Sequence, residues 1–232
     1  MRVNLMQYVF DPPPRTALPV TGSEAFFPVH RIYCVGRNYA DHAREMGDDP
    51  GREPPFFFSK PADAAICAPE IRYPPATADL HHEVELVVAL GTGGQDIPVN
   101  QALSHVFAYA VGVDLTRRDL QNAAKAQRRP WDTSKGFDQS APCSKLVPAR
   151  VCGHPAQNII SLDVNGVRRQ VGRIDEMIWS VAEVISILSS LFTLQPGDLI
   201  FTGTPSGVGV VHSGDRIEAR VEGLAELTFS LV

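Results

Sequence analysis

The sequence predicts a mixed α+β fold that is rich in β-strands. Nineteen prolines and eighteen glycines are spread along the 232 residues, which favours many short strands joined by turns over a bundle of helices. Apolar runs of strand length, such as Val106–Val113, support the same interpretation. With 44% hydrophobic and 20% charged residues, the chain can bury a substantial core.

Short strands and short helices are predicted to alternate in the first half of the chain. Asn38 is a candidate N-cap, and Gly47 is a candidate terminator of the helix that follows it. Pro98 can occupy the first position of a helix, and Thr116 with Asp119 resembles a capping box. The predicted strands are 31–35, 56–58, 64–66, 83–90 and 106–113, and the predicted helices are 39–46, 98–104 and 116–127.

A hairpin, one amphipathic helix and several strands are predicted for the second half. The pair Asn165-Gly166 lies between two β-type runs, which is a strong signal for a tight hairpin. Ser180 and Glu183 form a second capping box, before a helix that reaches Phe192. A turn at 196–198 leads into a strand at 199–202, and two more strands are predicted to finish the chain.

We expect a single main domain, residues 29–232, preceded by a short N-terminal arm, residues 1–28. The arm contains Asp11-Pro12-Pro13-Pro14 and Thr21-Gly22-Ser23, which predict a strand or two and an irregular segment. There is no internal repeat and no low-complexity linker that would divide the rest of the chain.

The charge pattern argues against several classes of partner. The net charge is −5 and no run of Lys and Arg exceeds two residues, so the chain lacks the electrostatic footprint of a protein that binds nucleic acid or an anionic membrane. Neither a signal peptide nor an apolar run near the ~18 residues of a membrane span is present, so we expect a cytoplasmic protein. Four cysteines without a CxxC pair are interpreted as reduced, packed thiols.

Three carboxylates are candidates for a metal site. Glu83 and Glu85 alternate along a predicted strand, so both side chains project to one side. A hard divalent cation, Mg²⁺, Mn²⁺ or Ca²⁺, would neutralise them, although an exposed acidic strand edge explains the same spacing. Asp114 terminates an apolar strand, where it is either a site residue or a cap for the next turn.

A histidine and a lysine are candidates for catalytic roles. His42 and Glu45 lie three residues apart on a predicted helix, so the carboxylate can orient the imidazole for general-base chemistry; a solvated surface pair is the alternative. Lys135 is either a point charge for an oxyanion or a surface lysine. The glycine-rich segment 203–209 lacks the P-loop Lys-Ser/Thr pair and is interpreted as a tight loop that presents N–H groups and the Thr204 hydroxyl.

Taken in order, five motifs resemble the fumarylacetoacetate hydrolase family. They are YCVGRNYADH at 33–42, HEVEL at 82–86, GVDLTRRDLQ at 112–121, SKGFD at 134–138 and GDLIFTGTP at 197–205. The resemblance implies the fold of that family, a mixed β-sandwich or roll with peripheral short helices, and a homodimer. The first 28 residues carry no recognisable signature of the family.

The resemblance also implies a role for each site residue. Glu83, Glu85 and Asp114 correspond to ligands of Mg²⁺ or Mn²⁺, and Val35 stands where the larger fumarylacetoacetases have a fourth carboxylate. This departure favours the short-chain branch of the family. In the remaining roles, His42 activates water, Glu45 orients His42, Lys135 stabilises negative charge, and the substrate oxygens are held by Arg37, Gln121 and Thr204.

The implied activity is hydrolysis of the carbon–carbon bond of a 2,4-dioxo acid, an acylpyruvate. The segment PFFFSKP at 55–61 adds to a similarity that is closest to the bacterial fumarylpyruvate hydrolases of gentisate-type aromatic degradation, which implies fumarate and pyruvate as products. Decarboxylation of oxaloacetate, or isomerisation of an oxo acid, is the alternative within the family. The segment 44–54 is interpreted as a lid that decides between them. Outside the enzyme class, the alternative is a catalytically silent ligand-binding homologue.

Overall fold

The structure is a computed structural model that describes residues 7–45 and 53–232. Its strands, in chain order, are β1 (Ala17–Pro19), β2 (Phe26–Pro28), β3 (Ile32–Gly36), β4 (Phe56–Lys60), β5 (Ala65–Ile66), β6 (Glu70–Ile71), β7 (Leu80–His82), β8 (Val84–Leu90), β9 (Val106–Val113), β10 (Thr116–Arg117), β11 (Ala141–Pro142), β12 (Val147–Pro148), β13 (Ile159–Val164), β14 (Val167–Arg173), β15 (Leu199–Phe201), β16 (Gly209–Val211), β17 (Arg216–Val221) and β18 (Leu227–Leu231). The α-helices are α1 (Ala40–Glu45), α2 (Val99–Ala102), α3 (Arg118–Ala126), α4 (Asp132–Lys135), α5 (Ala149–Cys152) and α6 (Val181–Leu191). Short 3₁₀ turns cover Ala62–Ala64, Leu103–His105 and Ile174–Glu176. The prediction of a β-rich mixed fold is confirmed.

Two larger sheets organise the molecule. A six-stranded sheet has the order β12-β9-β8-β15-β3-β4, in which only β15 and β3 run parallel, and a five-stranded sheet has the order β14-β13-β17-β18-β6. Leu86 of β8 and Val111 of β9 share one core with Leu162 of β13 and Ala219 of β17. The two sheets therefore face each other across this core, and burial of their apolar faces stabilises the fold.

The opposite face of the six-stranded sheet is covered by the N-terminal hairpin. β1 and β2 pair antiparallel, and their Leu18 and Phe27 are buried with Val87 of β8 and Ala110 of β9. Because both faces are covered, β8 is buried along its whole length, which explains its nearly continuous apolar sequence. The division of the chain at residue 28 stays a prediction.

Several local predictions are confirmed. Asn165 and Gly166, with φ angles of 52° and 75°, form the tight turn between β13 and β14. The Ser180 hydroxyl accepts a hydrogen bond from the Glu183 amide, and the Glu183 carboxylate accepts one from the Ser180 amide, so the predicted capping box opens α6.

Other local predictions are wrong. The capping box at Thr116 does not form, because Thr116 pairs with His81 between β10 and β7 and its hydroxyl contacts the acidic residues described below. Asp119 instead accepts a hydrogen bond from the Thr77 hydroxyl, and α3 begins at Arg118. Three strands rather than two follow β15, because Gly209–Val211 pairs with β7. The predicted helix end at Gly47 and most of the predicted lid, residues 46–52, lie outside the described residues.

Helices in the described ranges are short, and none is long and apolar enough to cross a membrane.

Candidate active site

A cluster of three carboxylates lies at the end of β8 and β9. Glu83 immediately precedes β8, Glu85 is its second residue, and Asp114 directly follows β9. The antiparallel pairing of the two strands places the three side chains together, and one oxygen of each lies within 4.8 Å of the others. The side chains are buried, with 5%, 2% and 0% of the surface of Glu83, Glu85 and Asp114 exposed, so this is not a solvated strand edge.

Basic side chains neutralise part of this charge. The Nζ atom of Lys135 lies 2.8 Å from Oε2 of Glu83, 2.6 Å from Oδ2 of Asp114 and 2.6 Å from the Thr116 hydroxyl. Arg118 donates to Oε1 of Glu83, and the Lys60 ammonium lies 2.8 Å from Oδ1 of Asp114. Lys135 is therefore part of the buried cluster and not a surface lysine.

Sequence reasoning missed Lys60 and Arg118. Both side chains are almost fully buried, with 3% and 5% of their surface exposed. Lys60 lies two residues beyond the predicted strand 56–58, and its burial next to the carboxylates depends on the long-range pairing of β3 with β4. Arg118 lies in the predicted helix 116–127, and arginines on surface helices are normally exposed, so its burial was not expected.

The two glutamates differ in electrostatic environment. Burial by itself raises the pKa of Glu83, but Lys135 and Arg118 outweigh it and hold the pKa well below its ordinary value. For Glu85, burial and the nearby charges of Asp114 and Glu83 raise the pKa well above its ordinary value. Its carboxylate accepts a 2.7 Å hydrogen bond from the Gly203 amide, and no salt bridge to it is found in residues 7–45 and 53–232.

The donor set of the cluster fits a hard divalent cation. Three carboxylates supply oxygen ligands, which Mg²⁺ and Mn²⁺ prefer in proteins. Oδ1 of Asp114 already has the Lys60 ammonium 2.8 Å away, whereas Glu85 lacks a basic partner among the described side chains. The Glu85 carboxylate is therefore the group in the cluster that would gain most from a cation.

A histidine–glutamate pair lies beside the carboxylates. His42 is 7% exposed, and its Nδ1 atom lies 3.3 Å from Oε2 of Glu45 within α1. Both oxygens of Glu45 accept from the Gly207 amide at 3.2 Å, so the loop after β15 fixes the carboxylate. His42 and Glu83 line the same small pocket, which we call the inner chamber. His42 is therefore a buried residue of the site, and Glu45 reaches it from the more exposed side of α1.

Two of the three predicted substrate-binding residues line the inner chamber, and the third does not. Arg37 and Gln121 line the inner chamber with His42, and the Gln121 side-chain oxygen accepts a hydrogen bond from Arg118. Thr204 is 2% exposed, its hydroxyl accepts a 2.8 Å hydrogen bond from Gln170, and it is not part of the chamber lining. Its role in substrate binding stays a prediction.

Comparison with known proteins places this geometry in a family. A family model described as fumarylacetoacetate (FAA) hydrolase C-terminal matches residues 31–232. The fumarylpyruvate hydrolase of Ralstonia sp. is 44% identical over 184 residues, which are 79% of this chain and 95% of that protein. The mitochondrial oxaloacetate tautomerase of Rattus norvegicus is 43% identical over 203 residues, which are 86% of this chain and 90% of that protein.

A solved structure is also very similar. Fumarylpyruvate hydrolase from Pseudomonas aeruginosa, in complex with Mn²⁺ and pyruvate, superposes with a TM-score of 0.96 at 53% identity, covering 97% of this chain and 99% of that one. The predicted fold of the family is confirmed, and so is the prediction of an acidic site suited to a divalent metal.

Proposed function

We propose that this chain, which belongs to the fumarylacetoacetate hydrolase family, hydrolyses the carbon–carbon bond of an acylpyruvate, and that fumarylpyruvate is its main substrate. The observation that carries the proposal is the buried His42, which contacts Glu45 and lines the inner chamber with the carboxylate of Glu83. A related enzyme of Pseudomonas aeruginosa, at 53% identity, is described in complex with Mn²⁺ and pyruvate, one of the two products that this reaction forms. Degradation of aromatic compounds of the gentisate type is the proposed context.

In this proposal Glu83, Glu85 and Asp114 hold a Mg²⁺ or Mn²⁺ ion. The bound ion supplies a Lewis acid that polarises the 2-oxo group and stabilises negative charge during turnover. The three carboxylates fix its position from neighbouring strand ends, and burial keeps competing water away from them.

His42 acts as the general base. Its Nδ1 atom is held by Glu45, so its Nε2 atom takes a proton from water. The water oxygen then adds to the 4-carbonyl carbon, the bond between carbons 3 and 4 breaks, and its electron pair stays on carbon 3. That carbon receives a proton, so fumarate carries the added oxygen and pyruvate carries the added hydrogen.

Lys135 contributes a fixed positive charge. Its ammonium group has three N–H donors, and Glu83, Asp114 and Thr116 lie at hydrogen-bond distance from it. We assign it to electrostatic stabilisation of the electron pair that remains on the pyruvate portion. Arg37 and Gln121 lie on the chamber wall, where they bind substrate oxygens.

The second candidate function is isomerisation of an oxo acid, favoured by the 43% identity to the oxaloacetate tautomerase of Rattus norvegicus. This reaction moves a proton on oxaloacetate and needs no attacking water. Decarboxylation of oxaloacetate, which breaks a carbon–carbon bond and releases carbon dioxide, also needs no attacking water. A buried base held by Glu45 serves proton transfer as well as hydrolysis. Rates measured on the substrates of each reaction therefore distinguish the two candidate functions.

Rates on three substrates test the proposal. The purified full chain with Mg²⁺ is given fumarylpyruvate, acetylpyruvate and oxaloacetate, and kcat/KM is measured for hydrolysis, tautomerisation and decarboxylation. We expect fumarylpyruvate to give the highest value, with fumarate and pyruvate formed in equal amounts. A higher value for oxaloacetate contradicts the proposal in favour of the second candidate. Inactivity on all three, in a chain that binds Mn²⁺, favours a silent ligand-binding homologue.

Location and assembly are part of the same proposal. A cytoplasmic location is supported by the similarity to a bacterial fumarylpyruvate hydrolase, and the homodimer is supported by the resemblance to the family. Light scattering on the purified chain tests the assembly: we expect about twice the chain mass of 25.3 kDa.

A further inference from the structure

A second cleft of about 510 Å³, which we call the outer chamber, adjoins the inner chamber. The two chambers share wall residues, so a single extended ligand can occupy both. The shared residues are Arg37, Phe56, Phe58, Trp131 and Lys135. His42 and Glu83 belong to the inner chamber alone, whereas Arg129 belongs to the outer chamber alone. Reaction chemistry and recognition of the far end of a substrate are thereby separated in space.

The walls of the outer chamber suit a flat, unsaturated chain. The rings of Phe56 and Trp131 meet edge to face with centroids 5.5 Å apart, and Phe58 lies 5.9 Å from Trp131. A conjugated acyl chain is planar and packs well against such ring faces. The chamber therefore accommodates the acyl portion of an acylpyruvate whose dioxo end lies in the inner chamber.

Of the basic side chains that line the outer chamber, Arg129 is the one that we consider for binding a substrate carboxylate. Lys135 already pairs with two carboxylates, and the Arg37 guanidinium lies over the Phe56 ring at 4.9 Å. Arg129 is exposed, and its side chain makes no hydrogen bond or ion pair within the described ranges, 7–45 and 53–232. Asp132 is the acidic residue of the lining, and it forms no salt bridge with Arg129.

The backbone holds Arg129 at the chamber wall. Its amide donates a 2.9 Å hydrogen bond to the Ala124 carbonyl at the end of α3, and the ring of Pro130 restricts the next residue. Arg128 has a φ of 54°, the left-handed turn that separates the helix from this segment. Arg128 is also exposed but does not line the outer chamber, which makes it a matched control.

We propose that Arg129 binds the distal carboxylate of a dicarboxylic substrate in the outer chamber, and so selects acylpyruvates with an acidic acyl group over those with a neutral one. The inference rests on the proposed acylpyruvate hydrolase function. Guanidinium groups bind carboxylates through two parallel N–H donors, which fixes the orientation of the bound carboxylate. Fumarylpyruvate has this form, with a planar double bond between the reacting carbonyl and the far carboxylate.

Two substrates that differ at the far end test the proposal. For Arg129→Gln with Mg²⁺, we expect kcat/KM for fumarylpyruvate to fall about 10- to 100-fold, mainly through KM, because one charge-assisted hydrogen-bonded pair is lost. The value for acetylpyruvate should stay within about twofold. Arg129→Lys should recover part of the loss, and Arg128→Gln should match the unchanged chain. An equal fall for both substrates, or no fall for fumarylpyruvate, overturns the proposal.

A binding measurement separates this proposal from the proposed function. Calorimetric titration of the Mg²⁺-loaded chain with fumarate and with crotonate, which lacks the second carboxylate, needs no turnover. We expect fumarate to bind about tenfold more weakly to Arg129→Gln and crotonate to bind equally to both chains. If fumarylpyruvate is not hydrolysed, the proposed function fails whatever this titration gives. If it is hydrolysed and fumarate binds both chains equally, the role of Arg129 fails alone.

Discussion

The ammonium group of Lys135 lies 2.6 Å from Oδ2 of Asp114, and both side chains are almost completely buried. Burial alone lowers the pKa of Lys135, but Asp114 and Glu83 more than compensate and raise it above its ordinary value. The lysine therefore stays charged inside the protein and is an internal counterion of the carboxylates that are suited to a metal.

Replacing Lys135 by Met should make the fold depend on the metal. Without metal, Glu83 and Asp114 lose a buried partner, and we expect the free energy of unfolding to fall by about 3–5 kcal/mol. Urea unfolding in EDTA and in Mg²⁺ measures the effect, and Mg²⁺ should stabilise this variant more than the unchanged chain. The exposed Lys145→Met is the control. Equal stability of the Lys135 variant and the unchanged chain in EDTA contradicts the prediction.

Glu83→Ala should abolish metal binding and turnover together, because one of the three proposed oxygen ligands is removed. Calorimetric titration with Mn²⁺ and the rate on fumarylpyruvate measure the two effects, and circular dichroism checks folding. Glu83→Gln keeps the shape of the side chain and should give the same losses if the alanine variant does not fold. Glu24→Ala, in the exposed loop of the N-terminal hairpin, is the control. Unchanged activity with added Mg²⁺ would remove Glu83 from the metal site.

Glu85→Gln should separate stability from metal binding. Its carboxylate is buried beside two others and lacks a basic partner among the described residues, whereas the amide oxygen of Gln can still accept from Gly203. We expect the metal-free chain to become more stable by about 1 kcal/mol while Mn²⁺ binding is lost. A fall in stability in EDTA would show that the Glu85 charge is already well compensated.

His42→Ala should stop hydrolysis and leave the fold and the metal site intact. We expect kcat for fumarylpyruvate to fall at least about 100-fold, which is typical for loss of a positioned general base. Binding of Mn²⁺ should be unchanged, because the three carboxylates keep their partners. The exposed His212→Ala is the control. If the His42 variant hydrolyses at the normal rate, the base lies elsewhere.

Asp163 should give a pH-dependent contribution to stability outside the site. Hydrogen bonds from Arg168 and Arg220 hold the pKa of Asp163 below its ordinary value. A carboxyl whose folded-state pKa is depressed stabilises the fold above its unfolded pKa of about 3.9, and the contribution disappears as the pH falls through the folded value. Asp163→Asn should therefore cost about 0.5–1 kcal/mol at pH 7 and less at about pH 3. Urea unfolding at both pH values checks this, and an equal cost at both would show that charge is not involved.

Much of the fold was predictable because its signals are local. The β13–β14 hairpin follows from Asn165-Gly166, and the start of α6 follows from Ser180 and Glu183, since each depends on residues within a few positions. The capping box at Thr116 failed because a long-range contact competes for the same hydroxyl: Lys135, nineteen residues away, lies 2.6 Å from it. Local patterns do not reveal such competition.

The candidate site shows the same limit. Alternation along a strand predicted that Glu83 and Glu85 share a side, and the strand end at Asp114 was visible in the sequence. The counterions Lys60 and Arg118 were not identified, because β3–β4 pairing and the orientation of α3 bring them in from distant parts of the chain. Periodicity within one segment does not show that distant segments meet in a single site. That expectation came from the resemblance of the motifs to the family.

The position of β15 in the six-stranded sheet has a consequence for how the protein is made. β15 lies between β8, next to the carboxylates, and β3, which leads to His42, and the Gly203 amide that binds Glu85 follows it directly. The two halves of the sheet are therefore joined by a strand that is synthesised long after both of its neighbours. Until β15 is made, β8 and β3 each have one unpaired edge, and unpaired edges promote aggregation. The six-stranded sheet cannot be completed before β15 inserts between β8 and β3.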